Sequence, residues 1–387
     1  MRRTAMKLAI VRQKYTPFGG AERFVERALA SLVAQGADVS IIARQWPAGL
    51  SLKGRRVDPF YLGRTWRDWS FARGVQKIIT RGDYDLVQSH ERIPGCHIYR
   101  AGDGVHATWL ALRAAARDST LSEKLSPWHR YTLTAEAAMF RHPNLAAVIC
   151  NSRMVRDDIT QRFGVADAKL HVIYNGVDLE NFHPRLRDEH RTALRTKVGA
   201  GDTAPVALFV GSGYERKGLP TLLAAFARLP QDKSELWVVG YDKQQAAMQQ
   251  QAAQLGIADR VRFFGAQKDV RPFYGAADLF VLPTLYDPFP NAALEALACG
   301  LPVVTTTSCG AAELITEANG AVVAANDVAA LADAINALCL PGCADAMREA
   351  ARASVSGLDL ASMAQRLTAL YAQSLGRKPP HTGAAQG

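Results

Sequence analysis

The chain has 387 residues, 48% of them apolar and 21% charged, a length generous for one domain and comfortable for two. Nothing in the composition is collagenous, coiled-coil or broadly disordered, and no apolar run approaches the roughly eighteen residues that span a bilayer. The net charge of +10 lies wholly in residues 1–184, which hold 27 Lys and Arg against 17 Asp and Glu, while the remainder holds 19 of each. An excess so confined implies an anionic partner for that half. No helix-turn-helix, zinc-finger or RNA-binding signature accompanies it, so nucleic acid is not expected; an anionic membrane surface or a phosphorylated glycolipid is.

In chain order, the charged opening Met1-Arg-Arg leads into Leu8-Ala-Ile-Val11, too short for a signal core and read as a first strand, which implies a cytoplasmic protein. Gly19-Gly20 follows, before helix-spaced apolar positions from Ala21 to Gln35. Glycines there let the backbone approach an anion at a helix start, although a plain strand-to-helix turn has the same sequence. Val39–Ala43, Leu86–Gln88 and Ala146–Cys150 continue a strand–helix alternation that indicates a doubly wound parallel sheet. Between strands, Ser89-His90-Glu-Arg-Ile-Pro-Gly95 and Tyr99-Arg-Ala-Gly-Asp-Gly-Val-His106 gather polar residues. Asp103, flanked by glycines, is expected close to a cleft with His106 in reach; His90 reads as strand-end packing. Phe60–Lys77 (Trp66, Arg67, Trp69, Phe71, Arg73), Thr108–Arg117 and Leu125–Arg130 combine aromatic with basic residues. Such faces suit an anionic bilayer, and equally an amphipathic helix with its aromatics packed inward.

The turn signal Asn175-Gly-Val-Asp178 precedes a polar stretch, and the strand pattern then restarts with Val206–Val210, Leu236–Val239, Val261–Phe264, Leu279–Leu282 and Val303–Thr305, a second sheet of the same class. The division expected is 1–180, 181–360 and a frayed tail over 376–387, with an amphipathic helix over 361–375. Gly211-Ser-Gly-Tyr-Glu-Arg-Lys-Gly218 sits between a strand and a helix and sets Arg216 and Lys217 where a diphosphate would arrive, the first able to bind in bidentate fashion and the second as a point charge. Further on, a Pro-rich loop after Leu282 carries Asp287, and a helix starts near Asn291 with Glu295 eight residues beyond the aspartate. A carboxylate at either place can accept hydrogen bonds from sugar or ribose hydroxyls. Cys96, Cys150, Cys299, Cys309, Cys339 and Cys343 show no metal-ligand spacing and read as free thiols.

The segment Asp287-Pro-Phe-Pro-Asn-Ala-Ala-Leu-Glu295 resembles the acidic signature of the retaining glycosyltransferases of family 4, usually Glu, seven residues, Glu; here the first acid is Asp287, and Pro288-Phe289-Pro290 stands where Gly-Phe-Gly is usual. The resemblance covers roughly Met6 to Leu375, includes Phe18-Gly-Gly-Ala-Glu-Arg23 and Asn175-Gly-Val-Asp178, and is nearest to the lipopolysaccharide-core α-glucosyltransferases. It implies the GT-B fold: two Rossmann-like domains facing across a cleft, the last helix crossing back to the first. It implies transfer of a hexose from a nucleotide sugar such as UDP-glucose to a lipid-linked acceptor, with retention and without metal or other cofactor, on the cytoplasmic face of the inner membrane.

For the site, the resemblance implies donor contacts at Gly19, Gly20, Gly211, Arg216, Lys217, Asp287, Phe289, Pro290, Asn291 and Glu295, with backbone contacts to the base at Arg262 and Phe264. Arg216 and Lys217 would neutralise the leaving pyrophosphate, and Asp103 and His106 would lie near the donor sugar or acceptor hydroxyl. Two carboxylates also admit a glycosidase-like double displacement, but as hydroxyl acceptors they favour a front-face reaction assisted by the leaving phosphate. Three other readings are a GT-B nucleotide-sugar epimerase, a non-catalytic membrane-bound scaffold and a Rossmann oxidoreductase. The last requires a G-x-G-x-x-G fingerprint after the first strand, which is not there.

Overall fold

Seven parallel strands form the first sheet: β1 (Lys7–Val11), β2 (Asp38–Ala43), β3 (Lys53–Arg56), β4 (Leu86–Ser89), β5 (Ile98–Arg100), β6 (Ala147–Cys150) and β7 (Leu170–Val172), in the order β3-β2-β1-β4-β5-β6-β7. A computed structural model describes residues 6–14, 33, 37–45, 53–117, 126–230 and 234–376. β1 alternates its side chains between two cores. Leu8 and Ile10 face a cluster with Val39, Leu86 and Ile98, while Ala9 and Val11 face Phe71, Val75 and Ile78 of helix α1 (Gly63–Arg81). The first cluster is closed by the last described helix, Leu360–Gly376, through Met363, Leu367, Leu370 and Tyr371. Tyr371 also donates its hydroxyl to Gln88 Oε1 at 2.7 Å.

Helices α2 (His106–Arg117), α3 (Pro127–Arg141) and α4 (Arg153–Phe163) complete this unit. α2 opens on a buried carboxylate: Glu136 of α3, 1% exposed, accepts the His106 amide at 2.9 Å and the Arg92 Nε at 2.8 Å. One acid thus caps a helix and neutralises an arginine from the loop after β4.

The second sheet has six parallel strands, β8 (Val206–Val210), β9 (Glu235–Val239), β10 (Val261–Gly265), β11 (Leu279–Leu282), β12 (Val303–Thr306) and β13 (Gly320–Val323), in the order β10-β9-β8-β11-β12-β13. Helices α5 (Leu186–Val198), α6 (Leu219–Phe226), α7 (Gln245–Gln254), α8 (Arg271–Ala276), α9 (Asn291–Ala298) and α10 (Val328–Cys339) accompany it. The chain separates into Met1–Asn175 with Leu360–Gly387, and Gly176–Asp359. Within the second unit its two ends run side by side, the Val177 amide donating to the Leu358 carbonyl at 2.8 Å.

The amino ends of the two central strands are pinned by charge. Arg195 of α5, fully buried, donates to the carbonyls of Ala276 (2.9 Å) and Ala204 (2.8 Å) and to Asp278 Oδ2 (2.7 Å). Asp278 also accepts the Val206 amide and Arg191. Burial opposes the charge on Asp278, but Arg191 and Arg195 outweigh it and hold the carboxyl below the usual range. Replacing Arg195 by Met removes one partner of a buried ion pair, so the expected loss in urea unfolding of the second unit is about 3 kcal/mol or more. A loss below about 1 kcal/mol would show that the pair is not what holds this end together.

Candidate active site

Both strand orders follow the pattern 3-2-1-4-5-6, and each sheet reverses its winding once. In the second unit the reversal falls between β8 and β11. At such a point the two loops leave the carboxyl ends of neighbouring strands in opposite directions and open a crevice for ligands. The loops concerned are 211–218, ahead of α6, and 283–290, ahead of α9.

Gly218 lies against the Pro283 carbonyl so closely that an added Cβ would stand 1.9 Å from that oxygen, and its φ is +77°. Only glycine meets both demands. The Arg216 carbonyl accepts the Leu285 amide (2.9 Å) and the Thr284 hydroxyl (2.8 Å), while Arg216 Nη1 donates to the Tyr286 carbonyl (3.0 Å). The two loops are thereby stitched together by backbone and side chain. A charged cluster sits on that seam: Asp287 Oδ2 lies 3.3 Å from Lys217 Nζ and 3.4 Å from Arg216 Nη1. Gly211 makes room for the lysine, since a Cβ there would meet Lys217 Cδ at 2.6 Å.

Asp287 is fixed from a third side. Its amide donates to the Ser308 carbonyl at 3.2 Å, and its own carbonyl accepts the Gly310 amide at 2.9 Å. Phe289 and Pro290 are buried, and Pro290 brings no side-chain cap to α9, whose eight residues start at Asn291. A helix start without a side-chain cap is disposed to receive an anion. One turn further, Glu295 accepts the hydroxyl of buried Tyr274 at 2.9 Å. The Tyr274 hydroxyl is pushed far above its ordinary pKa, by burial first and then by Glu295, so it stays a donor.

Gly211, Arg216, Lys217 and Asp287 therefore converge, and Glu295 is held on α9 by a separate partner. The Arg262 side chain pairs with Glu235 at 2.7 Å and bonds the Val198 carbonyl at 2.7 Å, tying the edge strand β10 to the end of α5. Phe264 packs between Trp237 and Phe273, and its carbonyl already accepts Gln267 Nε2 at 2.7 Å. Asp242, which the sequence reading passes over, turns out to shape the cation loop. Its carboxylate accepts the Gly213 amide at 2.7 Å and the Tyr214 amide at 3.3 Å. An acid two residues past the Gly240 that follows β9 was the available signal.

In the first unit the reversal falls between β1 and β4. A cavity of about 110 Å³ there is lined by Arg12, His90, Glu91, Arg100, Asp103 and Asn151, among others. Asp103 is exposed at it. His90 lines it too; its pKa is driven well below the ordinary value by burial and by Arg12 and Arg100, so its ring is neutral. The His106 ring is buried, contacts the Trp128 and His129 rings, and shares a 2.9 Å hydrogen bond with His129 Nδ1. Gly19 and Gly20 lie outside the described residues.

The basic and aromatic stretches divide. Phe71 is buried, and Trp128 is half-buried, donating to Asp68 at 2.8 Å beneath the Arg64 guanidinium. Phe60, Leu62, Trp66 and Trp69 are exposed. Trp66, Trp69, Arg73, Lys77 and Arg81 follow one another along α1 and border a surface groove of about 500 Å³. No helix among the described residues is long and apolar enough to cross a membrane, and no group of three or more His, Cys, Asp or Glu is placed to hold a metal ion.

Comparison with known proteins agrees with this geometry. Residues 18–181 match the family described as Glycosyltransferase Family 4, and residues 204–340 that described as Glycosyl transferases group 1. Lipopolysaccharide glucosyltransferase WaaG of Escherichia coli K12 is 26% identical over 325 residues, 82% of this chain and 85% of its own. The crystal structure of WaaG matches with a TM-score of 0.80 at 25% identity, covering 94% of this chain and 99% of that one. Lipopolysaccharide core biosynthesis glycosyltransferase LpsE of Rhizobium meliloti 1021 is 42% identical over a shorter stretch of 116 residues, 30% of this chain and 34% of its own. Anabaena HepE, solved in complex with UDP-glucose, shares the fold with a TM-score of 0.72 at 21% identity, covering 95% of this chain and 100% of that one. The two parallel-sheet units are thus those of a GT-B glycosyltransferase. The chain belongs to glycosyltransferase family 4, with both parts of the family pattern in tandem.

Two substitutions separate the seam from the rest of the loop. Gly218→Ala, which drives a methyl into the Pro283 carbonyl, should lower the melting temperature and disable the site together. Gly213→Ala meets open space at φ +72°, so it should cost only about 1 kcal/mol and leave the loop assembled. Equal melting temperatures for the two variants would remove the packing account of the seam.

His106 makes a pH prediction. Burial, then Arg92 and neighbouring charges, depress its pKa from 6.5 to about 3. Below pH 6.5 the unfolded chain takes up a proton that the folded ring refuses, so this stability contribution is present above that pH and lost as pH falls towards 3. His106→Gln should flatten the fall of stability in that window, measured by urea unfolding at several pH values; an unchanged slope would contradict it.

Proposed function

We propose that the protein transfers a hexose from a nucleotide sugar, UDP-glucose or a close relative, to a hydroxyl of a lipopolysaccharide-core or other lipid-linked glycan, with retention at the anomeric carbon and without a metal ion. The observation that carries this reading is the pair Arg216 and Lys217 held against Asp287 where the second sheet reverses. The WaaG and LpsE relatives support the acceptor class, and the HepE complex with UDP-glucose supports the donor.

The chemistry follows from the charges. Breaking the glycosidic bond of a nucleotide sugar leaves negative charge on the departing diphosphate. Lys217 and Arg216 are already oriented by Asp287, so they meet that charge without reorganising, which is the economical form of electrostatic catalysis. The α9 start adds amide dipoles. Asp287 and Glu295 accept hydroxyl protons of the sugar and ribose. Asp287, engaged by two cations, is poorly suited to attack the anomeric carbon, which favours a front-face departure over double displacement. On the first unit, Asp103 orients the acceptor hydroxyl, and His106 supports the wall behind it through the Trp128 and His129 rings.

Gly19 and Gly20 complete the donor side. The exposed aromatic and basic face of α1 is suited to an anionic leaflet, and we assign the enzyme to the cytoplasmic face of the inner membrane.

Lys217→Ala should lower kcat by about 10²- to 10³-fold with a smaller change in KM for the donor, measured by release of UDP from UDP-glucose with acceptor present. Near-wild-type turnover would remove the phosphate-clamp assignment, and abolition of wild-type activity by EDTA would remove the metal-free one. For the membrane, wild-type protein should float with liposomes containing phosphatidylglycerol at low salt, and an Arg73→Glu, Lys77→Glu double variant should not. Flotation unaffected by salt or by the charge reversal would count against the α1 surface.

A further inference from the structure

The cavity between β1 and β4 is built from the carboxyl ends of five strands of one sheet. Arg12 follows β1, His90 and Glu91 follow β4, Arg100 ends β5 with Asp103 just beyond it, Asn151 follows β6, and Asn175 comes after β7. Asn151 is 2% exposed; its Nδ2 donates to the Gly102 carbonyl at 3.3 Å, and its Oδ1 has no hydrogen-bond partner among the described residues. A buried carbonyl left so is costly and calls for a donor arriving from the cavity. Arg100, also buried, donates from Nη2 to Asn175 Oδ1 at 2.8 Å. Its pKa falls to about 10, through burial first and also through the repulsion of Arg12, so an anion between the two guanidinium groups would be stabilised by both. The site therefore offers cationic donors and neutral or anionic acceptors within about 110 Å³, room for one substituent and its neighbouring hydroxyls.

We propose that this cavity recognises an anionic sugar of the acceptor, with Arg12 and Arg100 taking its phosphate or carboxylate and Asn151 Oδ1 and Asp103 accepting its hydroxyl protons. The proposal rests on the glycosyltransferase reading and names the acceptor's chemical class. The confined positive charge of the first half of the chain is in keeping with it.

The test is calorimetric titration of the full chain with three probes: glucose, glucose 6-phosphate and glucuronate. At least one anionic probe should bind about tenfold or more tightly than glucose, and the stronger of the two identifies the substituent. Arg12→Gln should erase the preference and Arg12→Lys should keep most of it. Asn151→Leu, checked for folding by its melting curve, should weaken all three probes together. Equal binding of the three sugars by wild type, or a preference that survives Arg12→Gln, would overturn the proposal. Titration with UDP separates the two levels: a chain that binds UDP but ignores the anionic substituent sinks this inference alone, whereas one that does not bind UDP sinks the reading beneath it.

Discussion

The contact between loops 211–218 and 283–290 is the constraint on which the second unit's chemistry depends. A parallel sheet that reverses its winding between β8 and β11 must send two loops off adjacent strand ends. What converts that topological fact into a site is the absence of a side chain at Gly218, which lets the Pro283 carbonyl approach and fixes the register of everything beyond it. Arg216 and Lys217 come next to Asp287 because of that register, through backbone bonds to Leu285 and Thr284. Charge alone would not do this: a lysine–aspartate pair on two unconnected loops would lose most of its Coulomb gain to side-chain entropy and screening.

The arrangement is protected from the opposite end of the sheet. Arg195, Arg191 and Asp278 fasten α5 to the amino ends of the central strands, where no ligand is expected. Rigid packing at one end and glycine-permitted closeness at the other leave the loops as the part of the unit able to answer to a ligand. The first unit follows the same plan with different means. There the closing helix reaches the strand ends by a hydrogen-bond relay, Tyr371 to Gln88 and Gln88 to His90, so an element late in the chain orders a residue beside the polar cavity.

Much of this was legible in the sequence, and the exceptions have physical causes. Strands β8 and β11 announce themselves because central parallel strands are buried on both faces and read as unbroken apolar runs. β3 (Lys-Gly-Arg-Arg) gave no such signal, since it is an edge strand with a largely exposed surface, and β5 and β7, three residues each, are too short for any period to show. The cations and acids of loops 211–218 and 283–290 were readable because Gly-rich and Pro-rich segments set them between strand and helix. Their pairing was not, because Gly218 against Pro283 is a contact between residues 65 positions apart. The aromatics of 125–130 read equally as a surface face or as inward packing, because both have the same sequence pattern; Trp128 meets the His106 and His129 rings. Asn151 could not be found at all from sequence, for its significance is that its buried Oδ1 lacks a partner among the described residues.

The central claim, that Arg216 and Lys217 receive the donor's diphosphate at the β8–β11 reversal, is tested most directly by a crystal structure with UDP bound. The account predicts diphosphate oxygens about 3 Å from Lys217 Nζ and from the Arg216 guanidinium. A diphosphate lodged away from both side chains, with the Lys217–Asp287 pair undisturbed, would contradict it.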